Sequence, residues 1–239
     1  MKRILLAAAG MAALSGGVAM AAEGSSWSLS GTFGATSDYM FRGQTQTDHD
    51  FAVQGGLTLS HDSGFYVGTW ASNVDFGNGT DYELDLYAGY GGALGDNLTY
   101  DVNATYYLYP DAPSGTSYDY AEFIGTLTYT ADAFSIYGKT ALSPEFFGKT
   151  GFAAWTGAGV GYQVSDFLKL SANTGYQWIE DNTLAGIPDY WNYDLGATLT
   201  LDVFSVDLRY YGTDLSQAEC YGGTDLCDER LVGSATIGF

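Results

Sequence analysis

The sequence predicts an all-β protein, a transmembrane antiparallel β-barrel of about twelve strands preceded by a cleavable signal peptide. The last ten residues, 230–239, alternate between apolar and small or polar side chains and end on Phe239. A bacterial outer-membrane barrel closes on such a strand. The same alternation of apolar and polar residues recurs in runs along the chain. The connections between these runs alternate in length, a short one following a long one.

The first 21 residues have the pattern of a secretory signal peptide. Lys2 and Arg3 precede an apolar run over 4–13, and residues 19–21 (AMA) form a small-residue cleavage site. We therefore expect a signal peptide at 1–21 and a barrel domain at 22–239. An uncleaved membrane anchor is the alternative, but the run is rich in Ala and Gly and ends on the cleavage site. No other stretch approaches the roughly 18 apolar residues of a membrane helix.

The alternating runs predict the strands. The clearest runs cover 98–108, 168–178 and 190–201. They suit a tilted membrane strand of about 9–11 residues better than a globular strand of about 5–6. The predicted strands lie near 27–41, 50–61, 64–75, 82–93, 97–109, 119–131, 133–142, 152–164, 167–178, 190–202, 203–213 and 229–239.

Connection lengths predict the orientation of the barrel. Short connections lie near 61–64, 95–97, 130–132, 165–166 and 201–203, and long ones near 42–50, 76–81, 110–118, 143–151, 179–189 and 214–228. In outer-membrane barrels the short turns are periplasmic and the long loops extracellular. Both termini are then expected in the periplasm of a Gram-negative bacterium.

Charge restricts the partners. The chain has 28 acidic and 8 basic residues, a net charge of −20. Cleavage after residue 21 removes two basic residues and leaves −22. This balance excludes nucleic acid, because phosphate binding needs a basic surface. The expected partners are outer-membrane lipid, small solutes or ions, and the barrel-assembly machinery through Phe239. The sequence does not indicate an oligomeric state.

The two cysteines, Cys220 and Cys227, are predicted to form a disulfide in the last long loop, since an exported chain meets an oxidising compartment. A metal or redox pair is the alternative. That alternative lacks an adjacent His, and two ligands make an incomplete metal site.

No catalytic, cofactor or metal site is predicted. The only histidines are His49 in the first long loop and His61 in a short turn, and neither is placed for a hydrolase on the barrel wall. The acidic loops are expected to be solvated, with surface binding of Ca²⁺ or Mg²⁺ as the alternative.

The polar face of the strands carries charges that are expected to line the lumen, because charges facing lipid are costly. A water-filled pore with this acidic lining would favour cations modestly. A narrow barrel plugged by paired acids and bases is the alternative. The predicted pore-lining residues are Asp38, Arg42, Glu83, Asp85, Asp101, Glu122, Lys139, Lys169, Asp194, Asp207 and Arg209.

Several segments resemble the proteobacterial TorF-type porin family, also called Gcw_chp. They are 37–43 (SDYMFRG) with Gln46 and Thr47, 52–56 (AVQGG), 64–76 (GFYVGTWASNVDF) and 83–90 (ELDLYAGY). The resemblance covers the mature chain and implies an outer-membrane barrel of about this length that acts as a pore of unspecified substrate. Asp38 and Arg42 match its motif, and we expect them to pair across the lumen and shape the entrance.

The function these observations predict is passive diffusion of small hydrophilic solutes or ions through an outer-membrane channel, with a mild preference for cations. Three alternatives remain at this point. They are a non-conducting barrel that displays acidic loops for adhesion or envelope structure, a soluble secreted β-protein, and an outer-membrane hydrolase that uses His49 or His61.

Overall fold

The computed structural model describes residues 20–21 and 25–239. The predicted signal peptide lies outside these residues except at its last two positions. The backbone of Met20–Ala21 forms a two-residue strand beside Leu29 and Ser28. Cleavage after residue 21 stays a prediction.

Twelve long strands form the barrel in the described part of the chain, as predicted. Each is 9 to 13 residues long, which fits a tilted membrane strand. They are β1 (Trp27–Thr36), β2 (Ala52–His61), β3 (Phe65–Asn73), β4 (Tyr82–Ala93), β5 (Leu98–Leu108), β6 (Tyr120–Ala131), β7 (Phe134–Ser143), β8 (Ala153–Ser165), β9 (Leu168–Ile179), β10 (Tyr190–Leu201), β11 (Phe204–Thr213) and β12 (Arg230–Gly238).

The sheet closes on itself. Each strand pairs antiparallel with the next, and β12 pairs with β1 with Ser234 opposite Thr36 and Gly238 opposite Thr32. The backbone of Phe239 extends this seam, because its N–H donates to Gly31 O at 3.0 Å and its carbonyl accepts from Gly31 N at 2.9 Å. The prediction that the last strand closes the barrel is confirmed.

The strand alternation separates an apolar outer face from a polar interior. In β10, Trp191 and Leu195 are exposed on the outside, Leu195 at 62%, while Asn192 and Thr198 point inward and are buried. Large apolar side chains are exposed in this way on all twelve strands. Such an outer face suits lipid, where side chains on one face of each strand meet hydrocarbon.

Long loops and short turns lie at opposite ends of the barrel, as predicted. The turns span 62–64, 94–97, 132–133, 166–167 and 202–203, and the loops span 37–51, 74–81, 109–119, 144–152, 180–189 and 214–229. Three loops contain one-turn helices, at Phe147–Lys149, Asn182–Ala185 and Gln217–Glu219. None of the described helices is long and apolar enough to cross a membrane.

The first strand is shorter than predicted, because residues 37–51 leave the sheet. Within this loop, Met40–Phe41 pairs with Gln44–Thr45 around a two-residue turn. The turn residues Arg42 and Gly43 have φ of 51° and 82°. Positive φ at both positions is the requirement of a tight type I′ hairpin, and glycine meets it without strain. We call residues 40–45 the loop-1 hairpin.

Candidate functional site: the charged lumen and its loop-1 hairpin

The lumen is crossed by Arg42, which the loop-1 hairpin carries inward. Its Nη2 donates to both oxygens of Glu122 on β6, at 2.8 and 2.7 Å, and its Nη1 donates to Gln177 Oε1 on β9 at 2.7 Å. Tyr107 OH donates to the same Glu122 at 3.1 Å. Because β6 and β9 are not neighbours in the sheet, Arg42 ties two separate parts of the wall together through the lumen.

Two aromatic rings lie beside the Arg42 guanidinium. The guanidinium carbon is 4.6 Å from the ring centre of Phe41 and 5.4 Å from that of Trp155. The Trp155 ring lies against Gly175 on the neighbouring strand, where an added Cβ would come within 2.2 Å of the indole. The absence of a side chain at Gly175 lets the indole lie along the wall and leaves its face available to Arg42, an attraction of the cation–π kind.

A second network surrounds Arg209 on β11. Its guanidinium contacts Asp194 and donates to both oxygens of Asp207 at 3.1 Å and to Ser171 Oγ at 2.9 Å. Asn173 donates to Asp194 at 2.7 Å. These charge-assisted bonds join β9, β10 and β11 on the inner face.

A third group of acids lies on β4 and β5. Asp101 accepts a hydrogen bond from Tyr66 OH at 2.7 Å, and Glu83 Oε1 accepts one from Tyr39 OH at 3.3 Å. Burial raises the pKa of the Tyr39 hydroxyl well above its ordinary value, so it remains a donor. The Glu83 and Asp85 carboxyl groups are hydrogen-bonded to each other on the inner face of β4, and both side chains are at most 2% exposed.

The structure places the sequence-predicted charges as follows. Glu83, Asp85, Asp101, Glu122, Lys139, Asp194, Asp207 and Arg209 lie on the inner face of the strands, and Lys169 lies on the same face near the short turns, where it is exposed. Asp38 and Arg42 reach the interior from the first loop. That these residues line a conducting path stays a prediction.

The expected pairing of Asp38 with Arg42 is wrong. Asp38 stays beside the seam, where Thr45 and Thr47 donate to its Oδ1 and Arg230 Nη1 donates to its Oδ2 at 3.3 Å. The turn of the loop-1 hairpin carries Arg42 away from it to Glu122. Sequence reasoning missed Arg230, although its place next to the outward-facing Leu231 already indicated an inward side chain.

The predicted disulfide is present, and the loop that it closes contacts the loop-1 hairpin. Cys220 and Cys227 are bonded, with their Cα atoms 6.0 Å apart. From this loop, Leu226 O accepts from Thr45 N at 3.0 Å and Tyr221 OH donates to Gln44 Oε1 at 2.7 Å. The cross-link shortens the loop, so the groups that hold the hairpin are themselves constrained.

One group of described residues has the spacing of a metal site. Ligand atoms of Asp48, His49 and Asp225 lie within 4.8 Å of one another. His49 is already engaged, since its Nε2 lies 3.1 Å from Asp225 Oδ1 and its Nδ1 contacts the Arg230 guanidinium. The His49 contact lowers the pKa of the Asp225 carboxyl. These contacts join the first long loop to the last one. The positive charge of the Arg230 guanidinium beside them disfavours a metal cation there.

A cavity of about 660 Å³ lies between the loop-1 hairpin and the surrounding loops. Aromatic side chains, Tyr109, Phe147 and Tyr190 among them, form part of its wall beside polar and charged ones, and it extends down to Glu83 and Gln177 on the strands. The cavity therefore connects the loop end of the molecule with the acidic part of the lumen.

Solved structures with a similar fold are outer-membrane porins and channels. KdgM porin has a TM-score of 0.60 at 7% identity, over 88% of this chain and 99% of that chain. NanC porin has 0.54 at 12% identity, over 88% and 97%. An outer-membrane channel of Pseudomonas putida F1 has 0.55 at 10% identity, over 88% and 95%. The fold is thus that of an outer-membrane β-barrel.

Sequence comparison adds the family. No curated protein matches the chain. The model of the Gcw_chp family, described as bacterial protein of unknown function, matches residues 20–238. Because this match covers almost the whole chain, the protein belongs to the Gcw_chp family.

Proposed function

We propose that the protein is a TorF-type outer-membrane channel for passive diffusion of small hydrophilic solutes or ions, with a mild preference for cations. The observation that carries the proposal is a closed barrel with an apolar outer face and a polar, charged interior. The similar fold of known porins supports it.

The lumen charges support the cation preference. Seven of the eleven predicted lining residues are acidic and four are basic. Arg42 and Arg209 are paired with carboxylates, whereas Glu83 and Asp85 lie beside each other without an ion pair to a basic side chain among the described residues. Acidic groups without a basic partner favour cations over anions in a narrow aqueous path.

The same charges argue against a polyanionic solute. One similar structure is KdgM porin in complex with disordered oligogalacturonate, an acidic oligosaccharide. In this chain, an acidic oligomer entering the barrel would meet Glu83, Asp85 and Asp101. We therefore propose neutral or cationic solutes for this protein.

Arg42 sets the expected size limit. Its bonds to Glu122 and Gln177 divide the lumen below the loops. Solutes must pass beside this bridge, which restricts passage to small molecules and ions. A bridge that blocks the lumen completely would leave the runner-up function, a non-conducting barrel that displays acidic loops.

Liposome swelling tests solute passage. The refolded protein is reconstituted and the liposomes are transferred to isosmotic neutral sugars of increasing size, with protein-free liposomes as the control. The proposal predicts swelling that is fastest for the smallest sugars and falls steeply with size. Swelling no faster than the control, from protein shown to be folded by a heat-dependent gel shift, would support the display barrel instead.

A further inference from the structure

We propose that the cavity beneath the loops binds an organic cation, an ammonium group attached to a compact apolar or aromatic body. The inference deepens the proposed function, because it names a solute class for the same lumen. It rests on three features of the cavity, namely the aromatic part of its wall, a buried pair of carboxyl groups at its base and its charge balance.

Part of the cavity wall is built from packed rings. Phe147 stacks on Tyr118 with ring centres 4.3 Å apart, and contacts Tyr109 edge-on at 5.6 Å. Phe76 contacts Phe147 at 5.7 Å from another loop. These rings line the space and hold one another in place. A rigid array of ring faces recognises quaternary and primary ammonium groups, and the attraction increases when water is excluded.

The base of the cavity supplies the charge. Glu83 lines it and is 2% exposed, with Oε1 accepting a hydrogen bond from Tyr39 OH. The Asp85 carboxyl follows on the same face of β4 and is hydrogen-bonded to that of Glu83, and neither forms an ion pair with a basic side chain among the described residues. Two buried carboxyl groups side by side cannot both ionise without a cation nearby. An ammonium group beside Glu83 would supply that opposite charge.

The charge balance of the lining excludes anions. Arg42 is the single basic residue among the described residues that line the cavity, and its guanidinium is taken by Glu122 and Gln177. Of the acidic lining residues at the loop end, Asp48 and Asp225 belong to the group beside the Arg230 guanidinium, whereas Asp75 lies outside that group. A cation approaching from the loops would therefore meet Asp75 first and Glu83 at the base.

Calorimetric titration of the refolded protein in detergent tests the inference directly. The probes are benzyltrimethylammonium, neutral benzyl alcohol and benzoate. We expect saturable binding of the cation and none of benzoate, with benzyl alcohol at least about tenfold weaker. Glu83→Gln should weaken cation binding about tenfold or more, because it removes the charge and keeps the shape. Asp62→Asn, in an exposed turn at the other end of the barrel, is the matched control.

A second variant keeps the test independent of Glu83. Phe147→Leu removes a ring face but keeps an apolar side chain, and should weaken the cation about threefold while changing benzyl alcohol less. Equal affinity for the cation and benzyl alcohol, or unchanged cation binding in a folded Glu83→Gln protein, would overturn the inference. Calorimetry measures binding without any current, so the two proposals can fail separately. A protein that conducts but binds no cation contradicts the cation-binding inference alone. A protein that binds the cation but does not conduct contradicts only the proposed channel function.

Discussion

At the residue scale, the lumen is organised by two arginines that each join several strands. Arg42 enters from a loop and binds Glu122 and Gln177, and Arg209 stands on the wall and binds Asp194 and Asp207. Strand alternation predicted the inward face of Glu122, Asp194, Asp207 and Arg209, whereas Arg42 reaches the lumen through the loop-1 hairpin. It did not predict their partners, because partners depend on how the closed barrel brings non-adjacent strands together.

Arg42→Ala tests the bridge across the lumen. The substitution removes the side chain that divides the lumen and leaves Glu122 without its cation. We expect single-channel conductance to rise by roughly twofold or more and cation selectivity to increase, since the wall becomes wider and more negative. Recording in planar bilayers measures both. Lys149→Ala, which removes an exposed basic charge in the loop 144–152, away from the lumen wall, is the matched control. Unchanged conductance and selectivity in Arg42→Ala would contradict this role.

Arg209→Met tests the second network as a stabilising element. It leaves Asp194 and Asp207 without a cation on a largely buried part of the wall. We expect the free energy of unfolding in urea to fall by about 3 kcal/mol, the usual consequence of breaking a buried ion pair on one side. Lys169→Met provides the comparison and should change stability by less than about 0.5 kcal/mol. Equal losses in the two variants would show that the network does not stabilise the barrel.

At the element scale, the strands were predictable and the loop-1 hairpin was not. Lipid on one side and water on the other require alternating side chains over the full length of each strand, so the period of two marks the strands in the sequence. Residues 37–41 continue that alternation, which is why the first strand was expected to reach 41. What turns this segment inward is a set of contacts with distant residues, such as the bond between Gln44 and Tyr221.

The disulfide loop is expected to hold the loop-1 hairpin in place. In a Cys220→Ser, Cys227→Ser double variant, the contacts of Leu226 and Tyr221 with the hairpin should weaken. We predict more frequent current fluctuations and faster proteolysis within 214–229, with an intact barrel by gel shift. Reducing agent should produce the same changes in the wild type and none in the double variant. Steady current and unchanged proteolysis after reduction would mean that the hairpin is held without the disulfide.

At the scale of the whole molecule, the barrel depends on the seam between β12 and β1. The ring of Phe239 lies against Gly31, where an added Cβ would come within 2.4 Å of it, and the two backbones pair. The seam was predictable from the terminal alternation. Recognition of Phe239 by the barrel-assembly machinery stays a prediction.

Phe239→Ala tests that role. Loss of the ring removes both the contact at the seam and the feature expected to guide assembly, so we predict a severalfold lower yield of folded barrel in the outer-membrane fraction. The heat-dependent gel shift of that fraction measures it. Phe134→Ala, an exposed aromatic residue at the same end of the barrel but away from the seam, should assemble normally. Similar yields from the two variants would contradict a special role for Phe239.

Single-channel recording of the refolded mature protein in a planar bilayer under a KCl gradient shows whether the barrel is a channel. We expect discrete conductance steps and a reversal potential shifted toward that of K⁺, because the lumen carries more carboxylates than basic groups. Silence from protein shown to be folded and inserted would contradict a channel, and a reversal potential shifted toward that of Cl⁻ would contradict the cation preference.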